Sequence, residues 1–208
     1  MKTKEPNEEK IKIVQYARSR YLKEGFYKTS MSSLAAEMQM SKKTIYKHFP
    51  TKESLVEEVV FDFMNFIREN IDEIFSAKKN AISKVAGFVI LMGKISTQIS
   101  ENWLKDLRLH MPELWAKVDA FRTQKMTAEI TSVITQGKKE KLFLDYPNEI
   151  IVTMFVSSIR AIVNPDFLLT HTISYNQAAQ TCIEILLNGV LTEKGKKIFY
   201  KSFNQVEK

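Results

Sequence analysis

Apolar residues recur along this chain every three or four positions, with lysines, glutamates and other polar residues between them. That spacing is the mark of amphipathic helices. Ile11, Val14, Ala17 and Tyr21 predict a first helix of roughly Asn7 to Glu24, stopped near Gly25. Ser30 or Thr29 can cap a short second helix carrying Leu34, Ala35 and Met38. Ser41 can cap a third, which ends where Pro50 removes a backbone donor. Thr51 can cap a fourth, long helix reaching about Ala77. Further helical blocks run roughly from Asn80 to Ser100, Glu101 to His110, Pro112 to Gly137, Pro147 to Val163 and Tyr175 to Leu191. The stretches "GKKEKLFLDY" and "NPDFLLTHTIS" read as connections, and the tail "TEKGKKIFYKSFNQVEK" as an end free to fray. No block alternates with period two and no internal repeat stands out, so the chain is predicted to be all-α.

Composition narrows the function without deciding it. With 208 residues, 44% apolar and 26% charged, the chain has an ordinary globular make-up, enough for one large domain or two small ones. The opening "MKTKEPNEEK" has no apolar h-region of a secretory signal. The apolar run "VAGFVILMG" is far short of the roughly 20 residues that span a bilayer. The one cysteine, Cys182, cannot form an intrachain disulfide; it fits a reducing cytoplasm and reads as a packed core thiol.

Charge changes the picture more. Residues 1–54 hold 12 Lys and Arg against 6 Asp and Glu, while residues 55–208 hold 19 against 18. A basic module beside a near-neutral body points to a polyanion, nucleic acid before an anionic membrane surface. The second and third helices, joined by a tight turn, make a helix-turn-helix. Leu34, Met38, Met40, Ile45 and Phe49 supply its apolar side, and Ala35 lets the helices cross closely. Lys43, Tyr46 and Lys47 then share the outward face of the third helix, with Lys42 and Thr44 at its N-terminal end. That end of a recognition helix reaches base edges in the major groove, where lysine donates to guanine and threonine meets either kind of edge. Tyr46, Lys47 and His48 suit phosphates, which fix register without reading sequence. Lys52 begins the fourth helix, beside N–H groups that favour an anion.

The stretch "GFYKTSMSSLAAEMQMSKKTIYKHFPTKESL" resembles the DNA-binding domain of the TetR family of bacterial transcriptional regulators, through Gly25, Phe26, Thr29, Leu34, Ala35, Ser41, Thr44, Tyr46, Phe49, Lys52, Glu53 and Leu55. The resemblance implies that Thr29 or Ser30 caps the second helix near a phosphate. It also implies that Lys42, Lys43 and Thr44, behind the cap Ser41, read bases, and that Tyr46 and Lys52 hold the backbone. It divides the chain into a DNA-binding domain over residues 1–51 and an effector-binding and dimerisation domain over residues 52–208. Two positions depart from the family pattern: Gln39 stands at a turn position often held by Gly, and Lys43 where a small residue is frequent.

The same resemblance implies a ligand cavity among the middle helices and a four-helix dimer interface built by two chains. Phe88, Met92, Trp103, Leu107 and Met111 are candidates for the cavity, with Trp115, Phe121, Met126 and Met154; Met-rich walls suit an adaptable site. Ser157, Ser158, Ala161, Ala178, Ala179 and Ile183 are candidates for the interface. The expected partners are a double-stranded DNA operator, a second copy of the chain and a small, largely apolar effector that releases the repressor, with no cofactor and no membrane. His48, His110 and His171 lack metal-ligand spacing, and Gly-rich phosphate loop, HExxH, CxxC and nucleophile elbow are all missing, so no catalytic residue is expected. Two other readings stay open: an all-helical membrane-surface or lipid-handling protein with a basic docking end, and a TetR-like regulator controlled by a protein partner.

Overall fold

A computed structural model describes residues 8–204; Asn7 at the expected start of the first helix, and residues 205–208 of the tail, lie outside them. The N-terminal helices are α1 (Glu8–Glu24), α2 (Met31–Glu37), α3 (Lys42–His48) and α4 (Lys52–Ser76). Then come α5 (Ala81–Ser96), α6 (Glu101–His110), α7 (Pro112–Lys139), α8 (Asn148–Ile162), α9 (Pro165–His171), α10 (Tyr175–Val190) and α11 (Glu193–Asn204). The described residues contain no β-strand, only an isolated antiparallel bridge between Phe143 and Leu191. The fold is all-α, as the periodicity predicts.

Side-chain caps fix where most helices begin. Ser30, Ser41, Thr51, Asn80, Ser100, Asn164 and Ser174 each accept from the backbone N–H three residues on. Each satisfies a donor that the first helical turn leaves unpaired. Two helices fall where a connection and a fraying end were expected. Asn164 and Pro165 start α9 inside "NPDFLLTHTIS", and Thr172 ends it in the left-handed conformation. The tail forms α11 because Phe199 is buried and Ile198 packs against the same core.

The described residues divide into two compact units, the first of residues 8–69 with Gln98–Ala116, the second of Asn70–Thr97 with residues 117–204. By compactness the division does not follow residue 51, because α6 and the first 18 residues of α4 belong with the N-terminal helices. The first unit's core is built by Ile13, Ala17, Tyr21, Leu34, Ile45, Leu55, Val56 and Val59, all essentially without exposure. The second unit's core joins Ala81, Ile82, Val89, Val133, Ile134, Leu142, Phe143, Ile151, Phe155, Ile183, Leu187 and Phe199.

Candidate nucleic-acid interface

A tight turn holds α2 and α3 together. Gln39 lies just past α2 with φ of 54°, in the left-handed region. The Gln39 N–H donates to the Ala36 carbonyl at 3.1 Å and the Met40 N–H to the Ala35 carbonyl at 2.9 Å. This pair of bonds closes a Schellman turn, normally the place of a glycine. Behind it Leu34, Ala35, Ile45 and Phe49 are buried, while Met38 and Met40 are half-buried. The apolar side of the motif therefore lies largely where its pattern placed it, and it fixes which face of α3 points outward.

That outward face carries three lysines, of which Lys47 feels the Glu9 carboxylate at a distance. Ser41 caps α3 through the Thr44 N–H at 3.0 Å, and its hydroxyl lies 2.9 Å from the Thr44 hydroxyl. Lys42, Lys43, Tyr46 and Lys47 are exposed, Thr44 is half-buried, and none of the three lysines forms an ion pair or side-chain hydrogen bond among the described residues. Three cations of α1 behave differently. Lys10 bonds Glu58 at 2.7 Å, Arg18 bonds Asp62 at 2.8 Å, and Arg20 pairs with Glu24 and Glu37. Internal acids thus pair Lys10, Arg18 and Arg20 of α1, while Lys12 and Lys23 of α1, like the three lysines of α3, form no ion pair among the described residues.

Three predicted contact residues have internal roles. His48 Nε2 donates to Glu9 Oε2 at 2.9 Å, and that bond holds the Glu9 carboxyl below its ordinary range. Thr29 is buried, and its hydroxyl donates to the Gly25 carbonyl at 3.2 Å, so Ser30 alone caps α2. Lys52 Nζ donates to the Tyr27 carbonyl at 2.8 Å and lies 6.0 Å from the centre of the Phe26 ring. Partial burial holds the Lys52 ammonium below its ordinary range. Lys28, exposed and without an ion pair among the described residues, adds a cation beside Ser30 that helix periodicity could not single out, because it sits in a loop.

The loop carrying Lys28 is anchored by α6. The Tyr27 N–H donates to Asp106 Oδ2 at 2.7 Å, and the Tyr27 ring stacks on His110 at 3.9 Å between centroids. Gly25, at φ of +83°, leaves space that a Cβ would fill only by coming within 2.6 Å of Asp106 Oδ2. The Ser100 N–H donates to the Leu22 carbonyl at 2.7 Å. Trp103 stacks on Tyr21 and meets Phe26 edge-on.

This placement splits the residues expected around a ligand. Trp103, Leu107, Met111 and Trp115 belong to the first unit, Phe88, Met92, Phe121, Met126 and Met154 to the second. Trp103 and Leu107 are buried in the first unit's own core, since α6 spends its apolar face on α1; Met154 is 53% exposed. Of the interface candidates, Ala178 and Ile183 are buried within the chain, Ser158 and Ala179 are half-buried, and Ser157 and Ala161 are exposed. Among the described residues no three His, Cys, Asp or Glu side chains could hold a metal ion, and no single helix is long and apolar enough to cross a membrane.

A helix-turn-helix with exposed, unpaired lysines along its third helix is the arrangement of a DNA-binding regulator. Residues 13–59 match the family model of the bacterial regulatory proteins of the tetR family. An uncharacterized HTH-type transcriptional regulator, YvaF of Bacillus subtilis (strain 168), is 23% identical over 176 residues, 84% of this chain and 92% of its own length. Among solved structures, a transcriptional regulator from Cytophaga hutchinsonii has a TM-score of 0.72 at 19% identity, covering 89% of this chain and 100% of that one. A transcriptional regulator from Saccharomonospora viridis, solved in complex with choline, has a TM-score of 0.70 at 16% identity, covering 89% and 99%. The N-terminal helices of this chain thus carry the DNA-binding domain of the bacterial regulatory proteins of the tetR family, and these findings support a DNA-binding transcriptional regulator of that kind.

Proposed function

We propose that this protein is a homodimeric, cytoplasmic repressor that reads a palindromic operator through α3 and is released from it by a small, largely apolar effector. The carrying observation is the outward face of α3 in a helix-turn-helix: Lys42, Lys43 and Lys47 are exposed there and form no ion pair among the described residues, while Lys10, Arg18 and Arg20 of α1 are paired internally. Lys42, Lys43 and Thr44 take base edges; Ser30, Ser41, Tyr46 and Lys47 take phosphates. The pairs His48–Glu9 and Lys52–Tyr27 then orient the reading helix and its flanking loop, and Thr29 braces that loop.

Dimerisation is supported by apolar side chains left on the surface of α8 and α10. Ile150 and Met154, with Ser157 and Ala161, follow a helical stripe on α8, and Ile185 on α10 is 67% exposed. Two copies would cover these residues and set two α3 helices on one face, as a two-fold operator demands. For the effector, the choline-bound regulator from Saccharomonospora viridis supports a small-molecule site in a chain of this fold. Within the second unit Phe88, Met92, Phe121 and Met126 are only half-buried, leaving apolar surface that a ligand could cover. α4 is uninterrupted from Lys52 to Ser76, with residues 52–69 in the first unit and the rest in the second. An effector that binds two conformations unequally would tilt this helix and shift the spacing of the reading heads.

Selection of bound fragments from random duplex DNA by the full-length protein tests the proposal. Recovery of a palindrome with half-sites about one helical turn apart supports it. Recovery of single half-sites would remove the dimer, and failure to retain any duplex would remove the assignment of α3.

A further inference from the structure

The near-neutral charge of residues 55–208 conceals a strong internal segregation. The segments 78–79, 138–146 and 191–202 together hold nine lysines and three acidic residues. The remainder of residues 55–208 holds ten Lys and Arg against fifteen Asp and Glu. All three segments belong to the second unit, and hydrogen bonds bring them together. Gln136 Nε2 donates to the Lys79 carbonyl at 2.8 Å, and the Ala81 N–H donates to Glu140 Oε2 at 2.9 Å, which pins the α4–α5 loop to the end of α7. The Thr192 N–H donates to the Leu142 carbonyl at 3.0 Å, and its hydroxyl donates to the Lys141 carbonyl at 3.1 Å. These bonds pin the start of α11 to the same place. Gly195 approaches the Leu142 carbonyl so closely that a Cβ would collide with it.

The few acids here are already committed. Glu140 accepts from Ala81 and Gln136, Asp145 pairs with Lys138, and Glu193 pairs with Lys196. Lys78, Lys79, Lys139, Lys141, Lys194 and Lys197 are exposed and form no ion pair among the described residues. Lys201 continues the row, so α11 presents cations at positions i, i+3 and i+7 of one face.

We infer that this lysine surface is a second contact for double-stranded DNA, one that grips phosphates without reading sequence. Six exposed ammonium groups without an ion pair, gathered on one surface, suit a polyanion. A lipid surface is disfavoured because Phe199 is buried and Ile198 packs on the core, so neither is free to enter a membrane, and only the amphipathic Tyr146 and Tyr200 are exposed among the described large side chains of these segments. The cations are all lysines, which act as point charges on phosphate and lack the fork that arginine offers a base edge or a carboxylate. A phosphate backbone supplies what such a row can hold. The inference does not depend on which residues of α3 read the operator.

The test measures the affinity of the full-length protein for a non-operator duplex as salt is varied, by fluorescence anisotropy. A variant with Lys139, Lys141, Lys194 and Lys197 all changed to Gln should lose affinity, with the slope of log K against log salt shallower by about 3 units. The same four residues changed to Arg should keep the slope, which separates loss of charge from loss of structure. An unchanged slope in the Gln variant overturns the inference. So does tighter binding of the wild type to vesicles containing phosphatidylserine than to the duplex at equal salt, which would assign the surface to lipid.

Discussion

Asp106 of α6 accepts the Tyr27 N–H at 2.7 Å, while Lys52 of α4 donates to the carbonyl of the same Tyr27 at 2.8 Å. One residue of the α1–α2 loop is therefore held from both of its backbone polar groups, three residues before the cap of α2. Both α6 and α4 thus hold the loop that leads into α2. Asp106→Ala removes the acceptor and should destabilise the protein by about 1–2 kcal/mol, a charged hydrogen bond discounted for its exposure. Gly25→Ala should cost a similar amount, about 1–2 kcal/mol for a side chain forced into the left-handed region. Urea unfolding measures both, and midpoints equal to the wild type would remove this loop from the stability of the first unit.

Tyr21 carries a buried hydroxyl that finds no hydrogen-bond partner among the described residues. Deleting it with Tyr21→Phe removes a group whose unpaired burial costs about 1–3 kcal/mol, so the variant should be more stable than wild type by about 1 kcal/mol. Burial also pushes the Tyr21 phenol well above its ordinary range. The unfolded chain releases this proton near pH 10 and the folded chain keeps it, so the stability from keeping it is fully present below pH 10 and lost as pH rises beyond. The advantage of Tyr21→Phe should be constant from pH 7 to 9 and widen above about pH 10. A constant difference at every pH would contradict the assignment.

Gln39 occupies the left-handed turn position at φ of 54° with an ordinary side chain. That conformation costs about 1–2 kcal/mol for a non-glycine residue. Gly in its place gives back part of the gain, about 0.5–1 kcal/mol, as unfolded-state entropy. Gln39→Gly should raise stability by up to about 1 kcal/mol in thermal unfolding. A loss of stability would mean that the Gln39 side chain makes a compensating interaction.

Much of this structure was readable from local signals. Ser30, Ser41 and Thr51 carry their caps in their own chemistry, and α6 spans the residues its periodicity predicts because Ser100 starts it. The reading face of α3 followed from Ile45 and Phe49, whose burial decides which way Lys43 and Lys47 point. Other features were not local. α9 and α11 are short, and α11 depends on Phe199 finding a distant core. The apolar face of α6 gave no sign that Trp103 would pair with Tyr21 and Phe26 rather than line a cavity. Likewise nothing adjacent to His48 or Lys52 foretold Glu9 and Tyr27, which lie 39 and 25 residues away along the chain.

The central claim is that the unpartnered cations of α3 hold the operator. Its most direct measurement compares wild type with the Lys42→Ala, Lys43→Ala, Lys47→Ala triple variant on a selected duplex and on a scrambled one, across a range of salt. The expected result is a slope shallower by about 1 unit, from the lost Lys47 phosphate contact, with preference for the selected duplex falling toward one as the base contacts of Lys42 and Lys43 go, while the unfolding midpoint stays within error. Unchanged slope and unchanged preference in a folded triple variant would contradict the claim.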